Sequence, residues 1–270
     1  MKQPYEVATW DSRFDLYPEA NSILCSAWPE FMLHNKKVDP YWNTFVQEFK
    51  DIQLMLLNEG EILAIVNTQT IHIGTPLEEL PDEGWEWGFL KAIEDKRTGL
   101  EANYLLGFQV VIHPRHQGKG LAQAAVTEMK NLSCRLGLKG VLIALRPNHK
   151  ETYPLLSMDD YLKCRLSSGE AFDPWLRIHE RLGAEVIRVC PRAYTIRGSV
   201  KEWEDWTGQI FPCSGDYLID GGLNPMELCI EDNVGTYTEP NLWVVHRNHL
   251  EFSTTPTART HSSEPGHRNR

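Results

Sequence analysis

Apolar positions recur along this chain with two different periods. Residues 52–57 and 62–70 are short apolar runs, separated by the polar turn Asn58-Glu59-Gly60-Glu61. That arrangement predicts a β-hairpin. Residues 105–112 and 141–145 are strand-like runs of the same kind. Between them, Ala122, Ala125, Val126, Met129, Leu132 and Leu136 form one stripe at helical spacing, and Gly137 follows as a stop. A strand–helix–strand unit of this length implies parallel pairing of its two strands through a right-handed crossover. Ligands of such units are expected in the crevice at the carboxyl ends of the strands.

The remaining elements follow from their punctuation. A short strand is expected over 5–9, and a helix over 16–27, with Asp11 or Ser12 as cap and Pro29 beyond its end. Asp39-Pro40 reads as a cap with proline at the first helical position, opening a second helix that reaches about residue 50. In 74–103, a polar loop precedes Trp85, Phe89, Ala92 and Ile93 at helical spacing, and Gly99 ends the element. This predicts a packing helix, with a role in lining an acceptor pocket as the alternative. The stretch 146–172 is broken by Pro147, Pro154 and Ser167-Ser168-Gly169, and is longer than a plain connection requires. It is expected to contribute to acceptor binding. Asp173, Pro174 and Gly183 bracket a further helix as N-cap, first position and C′ residue, with Trp175, Ile178, His179 and Leu182 on one face. Strands are expected over 184–190 and 192–196, joined at Pro191, and near 226–230 and 242–245. Ser199 is placed to cap a short helix through Thr207. This gives a domain over 1–198, a C-terminal extension over 199–249 packed on it, and a tail over 250–270 whose Ser, Thr, His and Arg content predicts disorder.

Composition narrows the function classes. The chain has 270 residues, 41% of them hydrophobic, including nine Trp, so it can bury a sizeable core. Its formal net charge of −10 argues against a nucleic-acid surface or an anionic membrane surface. The six cysteines, at 25, 134, 164, 190, 213 and 229, contain no Cys-x-x-Cys pair, which speaks against a zinc site or a dense disulfide framework. No apolar run reaches membrane-spanning length, and the first residues lack a signal-peptide core. A cytoplasmic protein without a metal is the expectation.

The segment between the 105–112 run and the helical stripe is His113-Pro114-Arg115-His116-Gln117-Gly118-Lys119-Gly120-Leu121-Ala122. Two glycines one residue apart, between a strand and a helix, let the backbone approach a phosphate group closely. The following helix presents free N–H groups and the positive end of its dipole at the same point. The segment has neither the Lys-Ser/Thr of a Walker loop nor the three-glycine spacing of a dinucleotide fingerprint. It resembles motif A of the GCN5-related N-acetyltransferase superfamily, Arg/Gln-x-x-Gly-x-Gly/Ala, with Arg115 and Gln117 preceding the Gly118-x-Gly120 pair. His179-Glu180-Arg181-Leu182-Gly183 is similar to motif B of that family, with His179 where a tyrosine usually precedes the glycine by four, and Ala184 where Phe is usual.

The resemblance covers about residues 5–197 and implies an α/β (α+β) fold: a mixed, mostly antiparallel sheet with a central parallel strand pair flanked by helices. It implies an acyltransferase that uses acetyl-CoA or another acyl-CoA as donor and, through a ternary complex, an amine of a small molecule as acceptor. Under it, backbone donors at Val110, Val111 and Ile112 would hold the thioester. Arg115, Gln117, Gly118, Lys119, Gly120, Leu121 and Ala122 would hold the pyrophosphate, and Asn148 would contact the cofactor. His179 would protonate the departing thiolate, an imidazole being able to donate or accept a proton near neutral pH; the competing possibility is a histidine enclosed between helix and sheet. The family often places a glutamate on the central strand, where this chain has only Gln109, leaving Glu101, Asp159 and His113 as substitutes for the base. Two alternatives stay open: a malonyl thioester decarboxylase or loader of acyl groups onto a carrier protein, and a non-catalytic acyl-CoA-binding module.

Overall fold

Residues 5–248 are described by the computed structural model. They comprise β1 (Glu6–Thr9), α1 (Tyr17–Ser26), α2 (Trp42–Glu48), β2 (Leu54–Asn58), β3 (Glu61–Ile71), α3 (Gly84–Thr98), β4 (Tyr104–Ile112), α4 (Leu121–Arg135), β5 (Gly140–Leu145), α5 (Met158–Lys163), α6 (Pro174–Arg181), β6 (Glu185–Gly198), α7 (Val200–Thr207), β7 (Gly215–Tyr217), β8 (Met226–Cys229) and β9 (Val234–Arg247). One sheet holds the strands in the order β1-β2-β3-β4-β5-β9-β8-β7, and β6 also pairs with β9. β4 and β5 are parallel, in register from Leu105↔Val141 to Gly107↔Ile143, while the other pairings are antiparallel. This is the mixed α/β sheet with a central parallel pair that the sequence predicts.

Local chemistry accounts for the boundaries. Glu59 and Gly60 both adopt positive φ, 50° and 87°, as a two-residue turn of matching twist between β2 and β3 requires. Gly99 closes α3 in the left-handed region, and Ser199 with Glu202 forms a reciprocal capping box on α7. The sheet is buried on both faces. Leu105, Val141 and Ile143 face the layer that holds Ala125, Val126 and Met129 of α4. Leu106, Leu142 and Ala144 face the opposite layer, with Ala92 of α3.

The C-terminal part differs from its expected organisation. β6 is one strand of fourteen residues, not two, because β9 runs alongside both halves from Glu185↔Val245 to Gly198↔Gly235. The register shifts between Cys190 and Tyr194, so Pro191 sits in a bulge where its missing N–H leaves no gap in the ladder. α7, β7 and β8 are inserted between β6 and β9. β9 itself lies inside the sheet, paired with all six residues of β5, from Gly140↔Arg247 to Leu145↔Leu242. Residues 199–249 are thus not simply appended: their last strand completes the central sheet. The expected tail over 250–270 lies outside the described residues.

Candidate active site

Only three residue pairs join β4 to β5, and β4 continues five residues past Gly107 while β5 turns away along β9. The two strands therefore splay apart, and a cleft of about 1230 Å³ opens between them. That exceeds the roughly 300–1,000 Å³ of an ordinary small-molecule site, leaving room for two substrates together. The amide of His113 donates to Leu63 on β3. Because amides alternate sides along an antiparallel ladder, those of Val110 and Ile112 face the opposite side, into the cleft.

At the end of β4 the chain enters the glycine loop. Gly118 and Gly120 have φ values of +74° and +77°, and nothing stands within 4 Å of where a side chain would begin on either. The left-handed turns dictate glycine, and the space in front of them stays open. Gly120 is the N-cap of α4, a helix of fifteen residues whose cap makes no side-chain hydrogen bond, so its first amides point outward unpaired. A backbone arrangement of this kind can receive an anion. Val110, Val111, Ile112, Gln117, Gly118, Gly120, Leu121, Ala122 and Asn148 all line the cleft, while the Val111 amide, two residues before that of His113, faces β3. Arg115 and Lys119 do not. Arg115 and His116 lie 3.4 and 3.0 Å from Glu61 on β3, and Lys119 meets His116 at 3.2 Å. Arg115 is thus paired with Glu61 and Lys119 with His116, outside the cleft lining.

α6 forms the next wall. Its start is set by Asp173, whose Oδ1 accepts the amides of Trp175 and Leu176 at 2.9 and 3.0 Å. Its other oxygen accepts from the His149 amide and the Tyr161 hydroxyl at 2.8 and 2.9 Å, tying the post-β5 loop and α5 to the same point. Trp175, Ile178 and Arg181 line the cleft. His179 does not, and this corrects its expected role as the acid. It is fully buried under the helix, its Nδ1 is 2.8 Å from Nε2 of His246, and its ring packs edge-on against Trp175. Burial first, and the neighbouring His246 and Lys130 after it, push its pKa down to about 3. An imidazole that stays neutral and is walled off from the cleft cannot protonate a thiolate there.

The far end of the cleft is aromatic and acidic. Trp28 follows α1, Asp39 and Trp42 stand at the entry to α2, and Trp85 begins α3. Phe108 is the extra residue of a bulge in β4, between the pairs Asn67↔Gln109 and Thr68↔Gly107, and its carbonyl accepts from Trp85 Nε1 at 2.9 Å. Glu239 and Asn241 come from β9, flanking Pro240 where the ladder with β6 is broken. Glu239 is buried but saturated: both oxygens lie 3.0 Å from Arg146 Nε, Tyr237 donates at 2.8 Å and Asn241 at 3.2 Å.

Of the two segments expected to receive an acceptor, 74–103 supplies Trp85 and 146–172 supplies Arg146, Asn148 and Glu151. Glu101, Asp159 and His113 are all absent from the lining. The α1–α2 region and β9 were missed. Glu239 was the visible signal, as a lone carboxylate in an otherwise buried strand. Among the described residues, no cluster of metal-ligating side chains and no helix long and apolar enough to cross a membrane is present.

A mixed sheet that parts between its parallel strands onto an amide-lined loop and helix N-terminus is the architecture expected from the resemblance of the two motifs. In fold and in its glycine loop the chain is similar to the GCN5-related N-acetyltransferase superfamily. It is similar to an arginine N-acetyltransferase, avaD, of Aspergillus versicolor, at 28% identity over 280 aligned positions covering 91% of this chain and 94% of that one. Among solved structures it is similar to the loading GNATL domain of CurA from Lyngbya majuscula (TM-score 0.56, 15% identity, 90% of this chain and 97% of that one). The GphF GNAT-like decarboxylase, solved with isobutyryl-CoA, is a further neighbour (TM-score 0.47, 16% identity, 90% and 98%). No family model matches the chain.

Proposed function

We propose that this protein transfers an acetyl group from acetyl-CoA to a nitrogen of a small cationic acceptor, both bound at once. The observation that carries this reading is the continuity of the cleft from the amide cradle at Gly118–Gly120 to the tryptophan- and carboxylate-lined end. The cradle and the first turn of α4 receive the pyrophosphate, and the cleft-side amides of Val110 and Ile112 orient and polarise the thioester carbonyl. A thioester is already activated, so holding the two reactants together supplies much of the acceleration. At the other end, the rings of Trp42 and Trp85 favour a cation, while that of Trp28 already carries Arg146, 5.8 Å from its centroid. The fungal relative, named for arginine, supports an acceptor of that class. All six cysteines are free, in keeping with a reducing compartment such as the cytosol.

The reading is tested by titrating the protein calorimetrically with acetyl-CoA and assaying turnover with L-arginine, agmatine and 2-phenylethylamine. Wild type binds the donor and acetylates at least one of these. Gly118→Trp and Gly120→Trp fill the cradle and weaken donor binding at least ~100-fold, the equivalent of about 2.7 kcal/mol. Unchanged binding in both variants, or none in the wild type, would overturn it. Carbon dioxide release from malonyl-CoA without acylation of any amine would replace transfer by decarboxylation.

A further inference from the structure

Three carboxylates line the cleft: Asp39, Glu151 and Glu239. Glu239 is committed to Arg146, Tyr237 and Asn241. Glu151 sits 3.9 Å from the same Arg146. Asp39 is in no ion pair among the described residues. The central strand offers only Gln109, an amide that cannot take a proton at neutral pH, whose Oε1 is buried with no hydrogen-bond partner among the described residues.

We propose that Asp39 is the proton acceptor for the incoming amine, an assignment that rests on the amine-transfer reading above. Its backbone is pinned while its carboxylate stays at the cleft: the Asp39 amide donates to Asn35 at 2.9 Å, and the preceding Val38 is buried. The groups that face it are His34 from its own segment and Tyr194 from β6, with the Glu239 carboxylate further along the wall. Tyr194 is already spent as a donor to the Met32 carbonyl at 3.0 Å, and its hydroxyl stays protonated because burial raises its pKa far up. The nearby Lys37 is taken by Glu86 at 2.9 Å. Partial desolvation raises the pKa of the Asp39 carboxyl, against smaller opposing pulls from His34 and from a hydrogen bond with the Asn35 backbone, which makes it a better base. Trp42 and Trp85 stand on the same stretch of wall and favour an ammonium beside it.

In the proposed step, an ammonium acceptor gives one proton to the Asp39 carboxylate and becomes a free amine. Its nitrogen forms the C–N bond at the thioester carbonyl, the C–S bond breaks, and the thiolate takes the second amine proton. Asp39, open to solvent, then releases its proton to water.

The experiment compares wild type, Asp39→Asn and Asp39→Glu with a basic acceptor, agmatine or 2-phenylethylamine, and a neutral one, aniline. The asparagine substitution is isosteric and uncharged. In Asp39→Asn, acetyl-CoA affinity stays unchanged, kcat/KM for the basic amine falls about 10²-fold or more, and the acid limb of its pH–rate profile disappears. With aniline, already neutral at the assay pH, the loss shrinks to a few-fold, and Asp39→Glu restores most of the activity towards the basic amine. An unchanged kcat/KM with the acid limb intact would overturn the assignment. So would equal losses with both acceptors, since a binding or structural role does not distinguish them. If Asp39→Asn does not fold, Asp39→Glu decides alone: an acid limb displaced with the new carboxyl supports the assignment, and an unmoved one overturns it. A wild type that binds no acetyl-CoA defeats the transfer reading itself and this assignment with it, whereas full donor binding and turnover in Asp39→Asn defeats only the assignment.

Discussion

Trp175 and His179 lie one turn apart on α6 and share its apolar stripe, yet they end in different surroundings. Trp175 reaches the cleft wall, while His179 goes under the helix to meet His246 from β9. The two imidazoles share one hydrogen, and Nε2 of His179 and Nδ1 of His246 have no partner among the described residues. Burial, reinforced by Lys130, lowers the pKa of His246 to about 4, beside the value of about 3 at His179. In the unfolded chain both would titrate near 6.5, so the folded state binds fewer protons across the interval between. Their contribution to stability is complete above pH 6.5 and is lost as pH falls towards the folded values. Urea unfolding at pH 7.5 and 5.5 should therefore differ by roughly 2–3 kcal/mol from this pair. The double variant His179→Leu/His246→Leu should lose most of that difference. A wild-type stability that does not change over this interval would show that the pair titrates normally. His179 was visible in the sequence only as an offset from Gly183. Its partner lies 67 positions away in the chain, and that distance hid its burial.

Among the elements, α6 shows how a cap does more than start a helix. Asp173 satisfies two orphan amides of α6 and two donors from other elements, and it is itself buried. Asp173→Ala removes a cap worth about 1 kcal/mol and strands the His149 amide and the Tyr161 hydroxyl, at about 1–3 kcal/mol each. A loss of roughly 3–7 kcal/mol is expected in denaturant melts. Donor affinity should fall too, since the same change loosens the wall formed by Trp175, Ile178 and Asn148. An intact acetyl-CoA Kd with lowered stability would separate the cap from the site. Asp173, Pro174 and Gly183 were legible as punctuation because capping is local. The second oxygen of Asp173 was not, because its donors come from the loop after β5 and from α5.

At the scale of the whole molecule, the decisive fact is that β9 sits in the middle of the sheet. Leu242, Trp243, Val244 and Val245 are fully buried there. At about 1.5–3 kcal/mol per buried apolar side chain, these four contribute roughly 6–12 kcal/mol, comparable to the whole stability of a typical domain, about 5–15 kcal/mol. A chain ending at residue 198 should therefore be insoluble or lack a cooperative melt, even though it contains both family motifs. A cooperative, acetyl-CoA-binding fragment 1–198 would refute the structural role of β9. The same strand carries Glu239 and Asn241 to the cleft wall, so the element that closes the sheet also shapes the cleft.

What the amino-acid sequence determined by itself was local. The hairpin at Glu59-Gly60, the two left-handed glycines of the loop before α4, the stripe of α4 and the caps of α6 and α7 each follow from backbone conformation and periodicity within a few residues. The part of the cleft proposed for the donor is built from such a contiguous segment, so its backbone geometry could be read directly. The part of the cleft proposed for the acceptor is assembled from the α1–α2 region, Trp85, β6 and β9, which meet only when β9 slots between β5 and β6. Tertiary structure alone decided which carboxylate is left unpaired, which histidine is sealed away and where Arg115 and Lys119 turn. Those outcomes depend on partners distant in the chain, and a side chain's charge state and exposure are set by what packs against it.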